Sequence, residues 1–192
     1  MRKHSRIIEV VDYDPSWPEK FRQEAHLIQQ VLINQIVSIH HIGSTAVPGL
    51  KAKPTIDILL EVKDVTALDA YDSKMKDFGY FAKGEYGIQG RRFYLKGLYE
   101  RTHHIHAFNA GVKNVLRHLA FRDYLIAKPV IAKKYEKLKI RCAKDCNNDN
   151  EKYCLCKNDF VHKYEKIALV WVEKQSVALH CHTFLSYSQN KR

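Results

Sequence analysis

The chain alternates between stretches with a helical period of apolar positions and short runs rich in β-branched residues. Residues 9–14 (EVVDYD) read as a short strand or extended lead-in. Pro15-Ser16-Trp17-Pro18 opens a helix, because a proline in the first turn lacks only an N–H that the helix does not use. Phe21, Ala25, Ile28 and Leu32 recur at helical spacing and carry that helix to residue 34. Residues 36–42 (IVSIHHI) predict a strand broken by Gly43-Ser44-Thr45, and 55–62 (TIDILLEV) a second, well-buried strand. Asp64 suits the cap of a helix to about Phe78, which Gly79 ends. Shorter strands follow at 80–82, 91–96 and 103–108, punctuated by Gly84, Gly87, Gly90 and Gly97. After Gly111 the period is helical over about 113–127, then from Pro129 to about 144, and over 151–174. Asn147-Asn148-Asp149-Asn150 marks the polar break between the last two helices. Residues 1–174 are predicted as a single domain and 175–192 as a peripheral extension. The order of elements predicts an α/β fold with an α+β tendency: a small mixed sheet flanked by helices, then a helical C-terminal half.

Composition narrows the class. The 192 residues are 45% hydrophobic and 28% charged, which suits a globular core and excludes disorder. No apolar run approaches the roughly 20 residues of a membrane helix, so no membrane partner is expected. No signal-peptide core follows the basic start, which points to the cytoplasm and to five cysteines kept as thiols. Their spacings, C-x3-C and C-x-C, match no common zinc template. The net charge of +11 favours anionic partners. Lys133, Lys134, Lys137, Lys139 and Arg141 spread round their helix, and no nucleic-acid-binding motif is present, so specific nucleic-acid reading is not expected; the charge by itself does not choose among nucleotides, nucleic acid and anionic membrane surfaces.

The stretch 41–62 (HIGSTAVPGLKAKPTIDILLEV) carries the candidate chemistry. A strand ends at Gly43-Ser44, and a short helical turn starting near Ser44 offers free N–H groups and a hydroxyl to phosphate oxygens. Lys51 and Lys53 are placed to neutralise phosphate charge. Asp57 shares a strand face with Leu59 and Glu61. A carboxylate in so apolar a strand needs a compensating metal ion or basic side chain. His104 and His106, two residues apart on a later strand, point the same way.

The run GSTAVPGLKAKPTIDILLEV resembles the signature of the GrpB-like family, a branch of the nucleotidyltransferase superfamily. The resemblance extends through GRRFYLKG (90–97), HHIHAF (103–108), FRDYL (121–125), Tyr135 to Lys139, and Tyr153 to Trp171, and so covers about residues 8–172. It implies a mixed sheet with a Gly-Ser turn after one strand and an Asp-x-Asp/Glu pair on the next. Those carboxylates hold a divalent metal, and an acceptor hydroxyl attacks the α-phosphate of a nucleotide as pyrophosphate leaves. Members resembling this family also occur fused to dephospho-coenzyme A kinase.

The match departs at one position. Leu59 stands where the second carboxylate belongs. Glu61 lies four residues from Asp57, about 13 Å along a strand, too far to share one ion. By analogy with a third carboxylate on a neighbouring strand, His104 and His106 are candidates to complete a metal site with Asp57. The expected ion is zinc, manganese or magnesium, and a set of one Asp and two His suits the first two better. The alternative is that both histidines are neutral sheet residues and Asp57 pairs with Arg or Lys. Gly43, Ser44, Lys53, Arg92 and Lys157 are the candidate phosphate contacts, with Asp57 catalytic. The first expectation is a nucleotidyltransferase-type enzyme. The second is a catalytically degenerate nucleotide or anion binder, and a metal-dependent phosphohydrolase is the third.

Overall fold

The computed structural model describes residues 7–97 and 100–189, with side chains to Ser176. Strands β1 (Ile36–Ile42), β2 (Ile56–Val62), β3 (Tyr80–Ala82), β4 (Arg92–Lys96) and β5 (His103–Asn109) form one sheet in the order β1-β2-β5-β4-β3. Its helices are α1 (Trp17–Val31), α2 (Asp72–Asp77), α3 (Lys113–Ala127), α4 (Pro129–Asp145) and α5 (Asn150–Gln189). No helix among the described residues is long and apolar enough to cross a membrane.

β2 and β5 run parallel, and the other pairings are antiparallel. The parallel register sets Asp57 beside His104 and Leu59 beside His106. The pleat then divides the sheet. Ile56, Ile58, Leu60 and Val62 join Tyr94, Ile105 and Ala107 in the main core, under Trp17 and Ile28 of α1, Leu32 just past its end, and Met75 of α2. The other face carries Asp57, Leu59, His104 and His106. There Leu59 packs with Ile42, Phe108 and Val115 of α3 beneath the helical half.

Several elements differ from expectation. The lead-in 9–14 contributes only one bridge, Val11 to Ala52. Pro54, lacking an N–H, stops that ladder from lengthening. The segment after Asp64 splits into a 3-10 stretch, Thr66–Tyr71, and the short α2. Asp64 ties down both the N–H and the hydroxyl of Thr66, and this tight turn starts the segment in i→i+3 bonding. α5 runs without interruption past residue 174 to Gln189. Cys142 and Cys156 are joined in a disulfide between α4 and α5, which corrects the expectation of thiols at these two positions. The polar break at 147–150 folds α5 back along α4 and brings the two cysteines face to face, a proximity that spacing alone does not show. Cys146 and Cys154 are free.

Candidate functional site

Gly43 makes the site possible. Its backbone (φ 70°, ψ −168°) lies in a region that only glycine visits readily. A Cβ there would stand 2.4 Å from Asp57 Oδ2. The turn therefore presses directly onto the carboxylate. The following helical turn is only three residues long, Ser44–Ala46. A segment so short has little dipole of its own, so the positive charge of the site comes from elsewhere.

Asp57 accepts a hydrogen bond from His104 Nδ1 at 3.0 Å, and His106 Nε2 stands 3.9 Å from the same oxygen. The three side chains remain 28%, 17% and 16% exposed, so solvent reaches them. Burial pushes the Asp57 carboxyl up, but the N–H groups that His104 and His106 turn toward it outweigh this and hold the group well below the usual carboxylate range. An ionised Asp57 can only accept, so His104 donates from Nδ1 and turns its Nε2 lone pair outward. This is the orientation a carboxylate gives a general-base histidine.

His106 is held the opposite way round. Arg91 Nη1 approaches His106 Nδ1 at 3.3 Å. Arginine can only donate, so Nδ1 must accept, and the proton of neutral His106 sits on Nε2, facing Asp57. Burial lowers the His106 pKa and keeps it neutral. A metal-ligating histidine needs the reverse: a lone pair toward the ion and its other N–H on a carboxylate or carbonyl. Among the described residues, no three His, Cys, Asp or Glu side chains converge as a metal set. With Leu59 fully buried in apolar packing, the Asp57, His104 and His106 donors do not fit a preformed metal centre in this arrangement.

The helical half supplies the cations. Tyr135 and Lys139 on α4, and Tyr153 and Lys157 on α5, form two Tyr-x3-Lys pairs, each lysine lying over its own tyrosine ring at 4.9 and 5.6 Å. Lys53 covers the Tyr153 ring from the turn side at 4.6 Å and donates to Asn150 Oδ1. Lys139 is 2% exposed and donates to the Lys51 carbonyl at 2.5 Å. Burial, and then the charge of Lys157, lower its pKa to about 7. Lys157 has neither a hydrogen bond nor an ion pair among the described residues. The oxygen of Tyr135 leads the groups, Asp57 among them, that hold its ammonium above the ordinary lysine range despite burial. Val47 and Leu50, just past the Gly-Ser turn, pack with Tyr135 and join this turn to the cationic wall.

The structure thus brings together Gly43, Ser44, Asp57, His104, His106, Lys53 and Lys157. It takes Arg92 away. Arg92 lies on the Tyr94 face of β4, where Nε and Nη2 bind both oxygens of Asp69 at 2.6 and 2.8 Å. Its neighbour Arg91, 5% exposed, takes the position beside the histidines. The reason is the edge of the strand: Arg91 precedes β4, and its side chain folds back over Phe93 at 4.8 Å. Arg122 pairs with Asp123 and donates to the His41 carbonyl, anchoring α3 to β1. His40 bonds Glu61, and His41 bonds Thr45 and stacks on Phe21, so neither joins the site. Tyr135 and Tyr153 were legible as partners of their lysines: the repeated Tyr-x3-Lys spacing puts both side chains on one helix face.

A mixed sheet with a Gly-Ser turn after one strand and an acidic residue on the next, closed by a helical half, defines a nucleotidyltransferase-like α/β protein. The family model described as GrpB protein matches residues 7–166, and the chain belongs to the GrpB family. It is 42% identical over 166 residues to the "UPF0157 protein YqkA" of Bacillus subtilis, covering 86% of this chain and 48% of that protein. The chain thus spans about half the length of that relative. It is 31% identical over 157 residues to the "Glutamate-rich protein GrpB" of Alkalihalophilus pseudofirmus, covering 79% of this chain and 90% of that one. The crystal structure of conserved protein GrpB from Enterococcus faecalis superposes with a TM-score of 0.82 at 40% identity, over 85% of this chain and 99% of that one. A more distant relative, 26% identical over 192 residues, is a dephospho-CoA kinase of Mycobacterium bovis, with 85% of this chain and 46% of that protein covered.

Proposed function

We propose that this GrpB-family protein binds a nucleotide or related phosphorylated small molecule between the Gly43-Ser44 turn and the α4–α5 wall. The observation that carries the reading is Lys157: a half-buried ammonium with no anionic partner among the described residues, beside a second buried lysine. The surroundings of Lys157 keep it protonated, and its N–H donors are not taken up by a hydrogen bond among the described residues, so they are open to an anion. A phosphate lying over Lys139 and Lys157, with the Ser44 hydroxyl at its edge, supplies that anion.

Nucleotidyl transfer is the reaction such an arrangement supports in a nucleotidyltransferase-like protein. His104, oriented by Asp57, would take the proton of an acceptor hydroxyl as it attacks the α-phosphate, and pyrophosphate would leave against the lysines. The second reading, a binding module without turnover, is favoured by the buried Leu59 in place of a carboxylate.

Thermal unfolding of the full chain with ATP, with and without magnesium, manganese or zinc, tests binding. The expected result is a rise in midpoint that Lys157→Met removes. No shift in any buffer overturns the proposal. Release of pyrophosphate, lost in His104→Asn while the thermal shift remains, selects transfer. A shift with no pyrophosphate release selects the binding module. A shift that appears only with metal would place an ion in the complex that the donor set of the free protein does not prepare.

A further inference from the structure

Beyond the proposed phosphate site, the same sheet face ends in an exposed aromatic ring. Tyr86 is 62% exposed, so much of its ring is open to solvent. Its backbone has φ 44°, a left-handed conformation that a bulky non-glycine residue rarely adopts. Two features hold it there. Arg91 donates from Nη2 to the Tyr86 carbonyl at 2.6 Å and from Nε to the Glu85 carbonyl at 3.1 Å. The Tyr86 ring stacks on Phe93, with centroids 5.1 Å apart and planes 9° from parallel. Phe93 in turn touches His106 at 5.1 Å and His104 at 5.3 Å. Two ring-to-ring steps therefore lead from His104, bonded to Asp57, out to Tyr86. Arg91 reaches both ends, bonding His106 on one side and the Tyr86 carbonyl on the other. A strained, braced loop thus displays one face of a tyrosine two ring contacts from His104.

We propose that Tyr86 is the stacking surface for the base of a nucleotide whose phosphates lie over Lys139 and Lys157. The inference rests on the proposed phosphate site and adds the ligand class: an aromatic base is required, so a phosphosugar or bare polyphosphate is the weaker ligand. Stacking accepts any base, because each has a π-face. Tyr86 thus selects nucleotides over other phosphates without selecting one nucleotide.

The test is titration calorimetry of the full chain with ATP and with inorganic tripolyphosphate, on the natural protein, Tyr86→Ala and Tyr86→Phe. ATP is expected to bind at least fivefold more tightly than tripolyphosphate. Tyr86→Ala should lose roughly five- to hundredfold in ATP affinity, the contribution of one base on one aromatic ring, and leave tripolyphosphate unchanged. Tyr86→Phe should keep the natural preference. Equal affinities for the two ligands, or an alanine variant that binds ATP as well as the natural chain, overturn the stacking role and leave the phosphate site standing. Loss of tripolyphosphate binding in the alanine variant makes Tyr86 a residue of the fold and overturns the role as well. Binding of neither ligand by the natural chain removes the phosphate site and the stacking surface together.

Discussion

Lys139 is held neutral or charged by small changes near neutral pH, because burial and the charge of Lys157 bring its pKa down to about 7. The unfolded chain keeps that proton up to the ordinary lysine range, about 10.4. Between these values unfolding takes up a proton, so this residue makes stability rise with pH across the window and fall as pH drops toward 7. Ligand affinity should move the other way. A charged Lys139 attracts phosphate and a neutral one does not, so tripolyphosphate binding should weaken as pH climbs above about 7. Calorimetry at a series of pH values checks this, and Lys139→Met should flatten the profile. Gly43 gives a second residue-scale expectation. Gly43→Ala meets both an unfavourable backbone conformation and the Asp57 carboxylate. The backbone alone costs about 1–3 kcal/mol. Denaturant unfolding should show at least that loss, and the shifted carboxylate should break its bond to His104.

At the scale of elements, the disulfide ties together the two helices that carry the Tyr-x3-Lys pairs. Cys142 and Cys156 are 14 residues apart, and closing a loop of that size stabilises a fold by about 3 kcal/mol in the chain-entropy account. A reductant should therefore lower the unfolding midpoint of the natural chain and leave Cys142→Ser unmoved. Strand β1 was legible to the residue, since Ile36–Ile42 is β-branched and bounded by Gly43. The placement of Asp57 beside His104 was legible only through family likeness. Period-two alternation states which face a residue takes, but the parallel pairing of β2 with β5 crosses 47 positions of sequence. Arg92 shows the limit of the same rule. Alternation correctly put it with Tyr94, but that face turned out to be the main core's, where Asp69 waits. The disulfide and the Arg91 contact were illegible because each depends on how chain segments outside the strands fold back.

For the whole molecule, the charge of +11 offers a rival source of anion attraction. Surface charges more than about 8–10 Å from a ligand are screened at ordinary salt, while buried ones are screened far less. If Lys139 and Lys157 supply the grip, raising ionic strength from about 0.05 to about 0.5 M should weaken tripolyphosphate binding only a few fold. A loss of two orders of magnitude or more would assign the attraction to the diffuse surface. The α5 helix matters on this scale too. The family match ends at residue 166, yet Ala168, Trp171 and Val172 pack against Tyr124 and Ala120 of α3. The helix beyond the match is thus part of what holds α3 over the sheet.

One consequence follows from the parallel pairing of β2 and β5. Asp57 meets its histidine across a long crossover, and Lys157 joins from a hundred positions downstream of that aspartate. Nothing local in the chain assembles this site. During refolding, ligand recognition should therefore return with the slowest, most global phase, after helix content has recovered, and occupancy of the site becomes a readout of finished topology.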